Sequence, residues 1–238
     1  MRYSETALQS VREGRLLINR YDAWLSDEFR SFLGNRILEI GFGLGNLLEY
    51  LHDRELIVGI ETSKDSVECI REKFNSYGNI HAYNLSINSP DVLQLKHFCF
   101  DTAISVNVFE HIEDDLLAMQ QTWQLLLPGG KFILIVPSHS LLYGTMDRAI
   151  GHYRRYTKQS LQEKMIKCGF KVEKQKYINM LGGLGWWFNG RILKKEVPPS
   201  NQLRFFNVLV PVLKAFENLF DMPFGISLLT IGSKIDMI

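Results

Sequence analysis

From residue 36 onward, short apolar runs alternate with segments whose apolar positions recur every three or four residues. Arg36-Ile-Leu-Glu-Ile40, Leu56-Ile-Val-Gly-Ile60, Ile80 to Tyr83, Asp101-Thr-Ala-Ile-Ser-Val106 and Lys131 to Val136 read as strands. Between them the pattern predicts a helix over 46–52, a second starting at Ser63, and a third over about 114–127 that stops at Pro128-Gly129-Gly130. Ser63 is a good N-cap because its hydroxyl can accept from a free first-turn N–H; Val67, Ile70 and Phe74 then share one helix face. Strands and helices alternating at this spacing imply crossover connections, hence a mostly parallel α/β sheet with helices on both faces. The first 34 residues read as helical, with Leu17, Ile18, Tyr21, Trp24, Leu25, Phe29 and Phe32 at mixed three- and four-residue spacing.

Beyond Pro137 the alternation breaks. A polar and aromatic stretch covers 138–156; Thr157 then caps a helix to about Cys168, with Gly169 as its stop. Residues 171–178 alternate as a strand does, and 181–200 form a Gly- and Trp-rich insertion. A helical stripe (Phe206, Leu209, Leu213, Phe216, Phe220) runs through 201–221, where Pro211 is expected to kink the helix or start a new one; 227–235 reads as a final strand.

Composition narrows the function. Of 238 residues, 46% are hydrophobic and 22% charged, so the chain can bury a core. Lys and Arg (27) nearly balance Asp and Glu (26), which argues against a polyanion such as nucleic acid as the main partner. Cys69, Cys99 and Cys168 are odd in number and far apart, so neither a disulfide scaffold nor a zinc site is expected. His52, His81, His97 and His139 have no grouped partners, and no metal is expected. The N-terminal segment lacks the apolar core of a signal peptide, and no stretch reaches the roughly 18 apolar residues of a spanning helix. These features predict a soluble cytoplasmic protein.

The chemistry gathers at the predicted strand ends. Gly41, Gly43 and Gly45 follow the first strand, where glycines allow a sharp turn and close approach of a ligand to the main chain. A dinucleotide fingerprint needs G-x-G-x-x-G, but its third glycine position holds Asn46. Glu39 just before the glycines would repel a pyrophosphate and suits an ammonium group instead. Glu61, 22 residues later at the end of the second strand, suits both hydroxyls of a ribose. The ligand so described carries a ribose and a positive charge but no pyrophosphate, as S-adenosyl-L-methionine does.

Five segments in order, Glu39-x-Gly41-x-Gly43-x-Gly45, Glu61, Phe100-Asp101, Asn107-Val-Phe-Glu110-His111-Ile-Glu-Asp-Asp115 and Leu127-Pro-Gly-Gly130, resemble the class I methyltransferases over about residues 36–136. Gly144-Thr-Met-Asp147, Gly151-His-Tyr-Arg-Arg-Tyr-Thr157, Trp186-Trp187-Phe-Asn-Gly190 and the 228–234 terminus resemble a bacterial natural-product subfamily. The resemblance implies a doubly wound, seven-stranded Rossmann-like sheet in a single domain. Residues 1–34 would form a helical cap, 35–136 the cofactor core, and 137–156 and 181–222 acceptor-side insertions covering the site. It further implies that Tyr21, Thr62 and Asn107 join Glu39, the three glycines and Glu61 around S-adenosyl-L-methionine, Asn107 beside the methionine part. After the third strand the family has an acid for the adenine amino group; here Asn84 stands in that place, flanked by Leu85, unless the match is offset by two residues and Ser86 takes it. An amide oxygen can still accept that bond, without charge assistance.

The stretch from Tyr143 to Tyr156 carries Asp147, Arg148, His152, Arg154 and Arg155. His152 suits a general base toward a hydroxyl, or a donor that orients an acceptor carboxylate. Arg154 suits an anionic acceptor, and His111 either orients its loop or lines the acceptor pocket. Trp186, Trp187, Phe188, Phe205 and Phe206 suit core, a substrate lid or a peripheral membrane contact. The reading is O-methylation of a small-molecule or peptide-like acceptor. An N-methyltransferase, a silent adenosyl-binding module in a glycan or lipid assembly complex and a nicotinamide oxidoreductase are the alternatives.

Overall fold

The computed structural model describes residues 10, 13, 14 and 16–235; most of the expected helical cap before residue 16 lies outside the described residues. Its centre is one seven-stranded sheet. The strands are β1 (Arg36–Ile40), β2 (Leu56–Glu61), β3 (Ile80–Asn84), β4 (Phe100–Val106), β5 (Leu126–Pro137), β6 (Phe170–Ile178) and β7 (Ser227–Lys234). Their order is β3-β2-β1-β4-β5-β7-β6, parallel except for β7, which runs antiparallel to both β5 and β6. The eight α-helices among the described residues are α1 (Asn19–Phe29), α2 (Leu48–Leu51), α3 (Lys64–Lys73), α4 (Asp115–Leu125), α5 (Thr145–Ala149), α6 (Lys158–Lys167), α7 (Met180–Trp187) and α8 (Ser200–Glu217).

The central strands β1, β2 and β4 are apolar and buried at most positions because both faces of the sheet are covered there, whereas the edge strand β6 alternates with exposed charged residues. Successive side chains point to opposite faces, and this divides the core in two. Leu38, Ile40, Phe132 and Leu134 pack with Met119 of α4 and Leu161 of α6. Ile37, Ile133 and Ile135 pack with Trp24 and Phe29 of α1 and Ile70 of α3. The caps follow the sequence: the Ser63 hydroxyl accepts from the Ser66 N–H (3.3 Å), that of Thr157 from the Ser160 N–H (3.1 Å), and Gly169 leaves α6 at φ +87°.

Several boundaries differ from the pattern. The expected helix over 114–127 ends at Leu125, because Leu126 already pairs with Phe100 and the chain passes Pro128-Gly129-Gly130 as an irregularity within β5. Pro211 does not restart the helix: α8 runs through it, on an exposed stretch where the carbonyl deprived of its partner can meet water. The Gly- and Trp-rich insertion folds as α7 followed by a π turn over Phe188–Ile192. A 3-10 segment over Pro90–Phe98, which the pattern does not single out, carries the chain to β4.

From β1 the chain steps outward to β2 and β3, then returns to lay β4 on the other side of β1. That reversal opens a crevice beyond the carboxyl ends of β1 and β4, where doubly wound sheets bind their ligands.

Candidate functional site

A cavity of about 1910 Å3 occupies this crevice. Ligand pockets commonly span roughly 300–1,000 Å3, so it has room for two molecules side by side. Its first wall is the turn after β1. Gly41, Gly43 and Gly45 all have positive φ. A side chain at Gly41 would meet Val108 at 2.4 Å, whereas one at Gly43 would meet nothing within 4 Å and would project into open space. The Gly43 N–H donates to Glu61 Oε2 (3.1 Å), which ties the turn to the end of β2. Gly45 does not line the cavity: it lets the turn pack on Ile70, 2.4 Å from where its Cβ would stand.

Glu39 is buried on β1, and its Oε2 has no hydrogen-bond partner. Burial, aided by the charge of Glu61, pushes its pKa up to about 8. An orphaned carboxylate on a cavity wall is a receptor for a cation, and the ammonium of S-adenosylmethionine fits that requirement. Glu61 accepts at Oε1 from the N–H groups of Thr62 (2.7 Å) and Ser63 (3.1 Å) and from the Thr62 hydroxyl (3.1 Å), which fixes its carboxylate at the cavity edge. The open cradle at Gly43, the orphaned Glu39 and the anchored Glu61 together fit the cofactor the family resemblance implies.

Tyr21, Thr62, Leu85 and Asn107 also line the cavity. The Tyr21 hydroxyl shares a hydrogen bond with Ser227 (3.0 Å). Asn107 leaves β4 at φ +55°, a backbone state uncommon for a residue with a side chain, and its N–H donates to Ile135 (2.8 Å). Asn84 stands apart. Its amide donates to the carbonyls of Glu61 (2.9 Å) and Thr62 (3.0 Å), tying two strand ends together outside the cavity lining, while Leu85 and Ser86 face the cavity.

The opposite wall comes from the segment around α5 and from α7. His152 is buried, and its Nδ1 lies 2.9 Å from Asp147 Oδ1. Asp147 also accepts from Arg155 Nε (2.7 Å), the Trp186 indole N–H (3.0 Å) and the Gly144 N–H (2.9 Å). Burial alone would raise its pKa; the His152 hydrogen bond and the Arg155 charge overcome this and lower it to about 2. Asp147 is therefore a fixed anion that sets the ring of His152.

On the other side of that ring, His152 Nε2 is 3.7 Å from Glu110 Oε1, and neither oxygen of the fully buried Glu110 has a hydrogen-bond partner. Burial raises Glu110 to about 7 against the opposing pull of His152. His111 stands edge-on to His152 with ring centres 4.7 Å apart, open to the cavity, and desolvation plus the adjacent imidazole lower it to about 4.

Arg154 is not in the cavity lining. Its guanidinium is drawn to Asp115 (3.0 Å) and to the Glu113 carbonyl (2.7 Å), and Arg155 takes the position beside the cavity. Trp186 reaches Asp147 and lies under Arg155 at 5.2 Å. Trp187, Phe188 and Phe205 are exposed, while Phe206 packs against Tyr21 at 5.7 Å. The sequence places Asp147 and Arg155 in the acceptor-side stretch without giving either a role, and names Glu110 only as part of the motif after the fourth strand. An acid directly before His111 and an acid and an arginine bracketing His152 are the only signals of them, and ordinary surface charge gives the same pattern.

A family profile described as "Methyltransferase domain" matches residues 38–132, which end β1, pass through β2 to β4 and enter β5. A Mycolicibacterium smegmatis protein described as "Probable S-adenosylmethionine-dependent methyltransferase/" is 23% identical over 59% of this chain and 53% of its own length. A Streptomyces fradiae protein described only as a 37.1 kDa protein in transposon TN4556 is 25% identical over 63% of this chain and 43% of its own. The chain thus spans about half the length of these curated relatives.

Among solved structures, a chain of the Haloferax volcanii complex with the Trm112 methyltransferase activator superposes with a TM-score of 0.66 at 16% identity, covering 99% of this chain and 100% of that one. An S-adenosylmethionine dependent methyltransferase from Mesorhizobium loti gives 0.59 at 16% identity, covering 87% and 96%. At such identities the likeness is one of fold. No helix among the described residues is long and apolar enough to cross a membrane. The sheet order is that of the class I methyltransferase fold, and over residues 38–132, the strands that carry Glu39, Gly43 and Glu61, the chain is similar to a methyltransferase domain.

Proposed function

We propose that the protein transfers a methyl group to an oxygen of a small-molecule acceptor, of the kind found among natural-product intermediates. In this reading residues 35–136 hold the cofactor, and the insertions 137–156 and 181–222 hold the acceptor. Glu39 receives the ammonium group, Glu61 the ribose hydroxyls, Leu85 and Ser86 flank the adenine, and Tyr21 and Asn107 bound the methionine end. Bound S-adenosylmethionine supplies a methyl group on a sulfonium; its transfer forms a C–O bond, breaks the C–S bond and leaves the electron pair on a neutral thioether.

The chain's own work is then to hold the acceptor in line and exclude water, which can supply roughly 7–11 kcal/mol of the barrier. The observation that carries the oxygen reading is His152. Its Nδ1 is taken up by Asp147 at 2.9 Å, which leaves Nε2 as the atom offered at the acceptor end beside Glu110. A hydroxyl is the acceptor that such a nitrogen polarises. From the other insertion, 181–222, Trp186 and Phe205 line the cavity, an apolar surface suited to an acceptor with an apolar portion.

The test is transfer from methyl-labelled S-adenosylmethionine to matched panels of phenols, sugar hydroxyls, carboxylic acids and amines. Label is expected in the oxygen acceptors. Transfer to the amines alone would overturn the oxygen reading.

A further inference from the structure

The sequence suggests no metal site, yet the fold gathers three ligand-bearing side chains at the acceptor end of the cavity. Glu110 and His111 come from the turn after β4 and His152 from the segment after α5; one ligand atom of each lies within 4.8 Å of the other two. We propose that Glu110, His111 and His152 form a binding site for a divalent first-row transition metal, with its open positions facing the acceptor.

Three observations support it. Glu110 is fully buried, and both of its oxygens lack any hydrogen-bond partner. A carboxylate so placed is expensive unless something of opposite charge meets it. His152 is already oriented as a metal ligand would be, one ring nitrogen held by the Asp147 carboxylate at 2.9 Å and the other 3.7 Å from Glu110. Metal-binding imidazoles characteristically carry such a carboxylate or carbonyl partner on the second nitrogen. His111 stands edge-on to His152 with ring centres 4.7 Å apart and opens to the cavity.

The charges nearby agree. Arg155, whose charge reaches Glu110, is tied to Asp147 at 2.7 Å. Bonds of about 2.0–2.2 Å to nitrogen and oxygen place neighbouring ligand atoms roughly 3–3.5 Å apart, so from within 4.8 Å the widest pair closes by up to about 1.3–1.8 Å on binding. Rotation of Glu110 and of the cavity-facing His111 supplies that movement. Two imidazoles and one carboxylate suit zinc, manganese, cobalt or iron, and not calcium, which prefers six to eight oxygens.

The site deepens the methyl-transfer reading and rests on it only for its role. Glu110, His111 and His152 would hold the metal, which in place of the free Nε2 of His152 would polarise the acceptor hydroxyl and make its proton more acidic. The hydroxyl would lose that proton to solvent as it coordinates, before the transfer step from which water is excluded. The oxygen forms its bond to the methyl carbon as the carbon–sulfur bond breaks, with the pair remaining on sulfur.

The test is Co2+ titration of chelator-treated protein, followed by visible absorption, with S-adenosylhomocysteine affinity measured on the same samples. One Co2+ per chain is expected, at least tenfold weaker in His111→Ala and in Glu110→Gln. His111 is open to the cavity, so its variant keeps the fold, and circular dichroism verifies this for both. Equal Co2+ affinity in wild type and His111→Ala, or no Co2+ bound by a wild type that still binds S-adenosylhomocysteine, overturns the metal site alone. Loss of S-adenosylhomocysteine binding by the wild type would overturn the cofactor reading instead, whatever Co2+ does.

Discussion

The two walls of the cavity are built on different principles. On the cofactor side the polar groups sit at strand ends and are held by neighbouring backbone: Glu61 by the N–H groups of Gly43, Thr62 and Ser63, all within a turn or an adjacent strand. On the acceptor side they are held by one another across long stretches of chain, as where Asp147 joins His152, Arg155 and Trp186. The first wall belongs to the fold and can lose a side chain without losing its shape. The second is a buried ionic knot, and its shape depends on its charges.

The sharpest way to break this contrast is to cut the knot. Asp147→Ala leaves Arg155 buried without its partner, and removing one member of such a pair costs about 3–5 kcal/mol. Denaturant unfolding of this variant should show a loss of that size. A loss under about 1 kcal/mol would mean that the acceptor wall does not rest on its charges.

The cofactor wall should behave in the opposite way. Gly43→Val places a side chain in the open cradle, so S-adenosylhomocysteine binding is expected to fall by about a hundredfold or more, while stability drops only by the roughly 1–2 kcal/mol that left-handed backbone costs a residue with a side chain. Calorimetry and thermal melting on the same sample separate the two effects. Retained binding would show that the glycines serve the turn alone.

A smaller effect sharpens the role of Glu39. With its pKa raised to about 8, it is mainly protonated at pH 7 in the free protein. A bound ammonium favours the charged form, so cofactor binding should release a proton, and affinity should rise between about pH 6 and 8. Titrations at pH 7 in buffers of different ionisation enthalpy should differ in heat, and Glu39→Gln should remove the difference. The same raised pKa works the other way on folding. Its stabilising contribution is full below the unfolded value of 4.5 and is lost as pH rises through 8.

The cofactor wall is also where the sequence was most legible. Glu39, Gly41, Gly43 and Glu61 could be placed because strand periodicity fixes where a strand ends, and doubly wound sheets bind at that edge. Asn84 shows the limit of such reasoning. It ends β3 in register with Glu61, but its amide is spent on two backbone carbonyls, a local choice that periodicity does not reveal. The acceptor wall was legible only as a concentration of His, Arg and Asp. Which arginine turns inward depends on Asp115, which draws Arg154 away, and that contact crosses elements. The partnership of Asp147 with Trp186 spans two insertions, and no spacing rule connects them. The smallest expected effect follows from Asn84: Asn84→Ala should change S-adenosylhomocysteine affinity less than about threefold, and less than Ser86→Ala does. The reverse order in calorimetry would return the adenine contact to Asn84.

The central claim is that one wall holds the cofactor and the other the acceptor. Calorimetric titration of S-adenosylhomocysteine into wild type, Glu61→Ala and His152→Ala tests it most directly. The account predicts that Glu61→Ala weakens binding by about 1.5–3 kcal/mol, the cost of losing a charged acceptor for two hydroxyls, while His152→Ala stays within about twofold of wild type. Unchanged affinity in Glu61→Ala, or a loss in His152→Ala as large as that expected for Glu61→Ala, would contradict it.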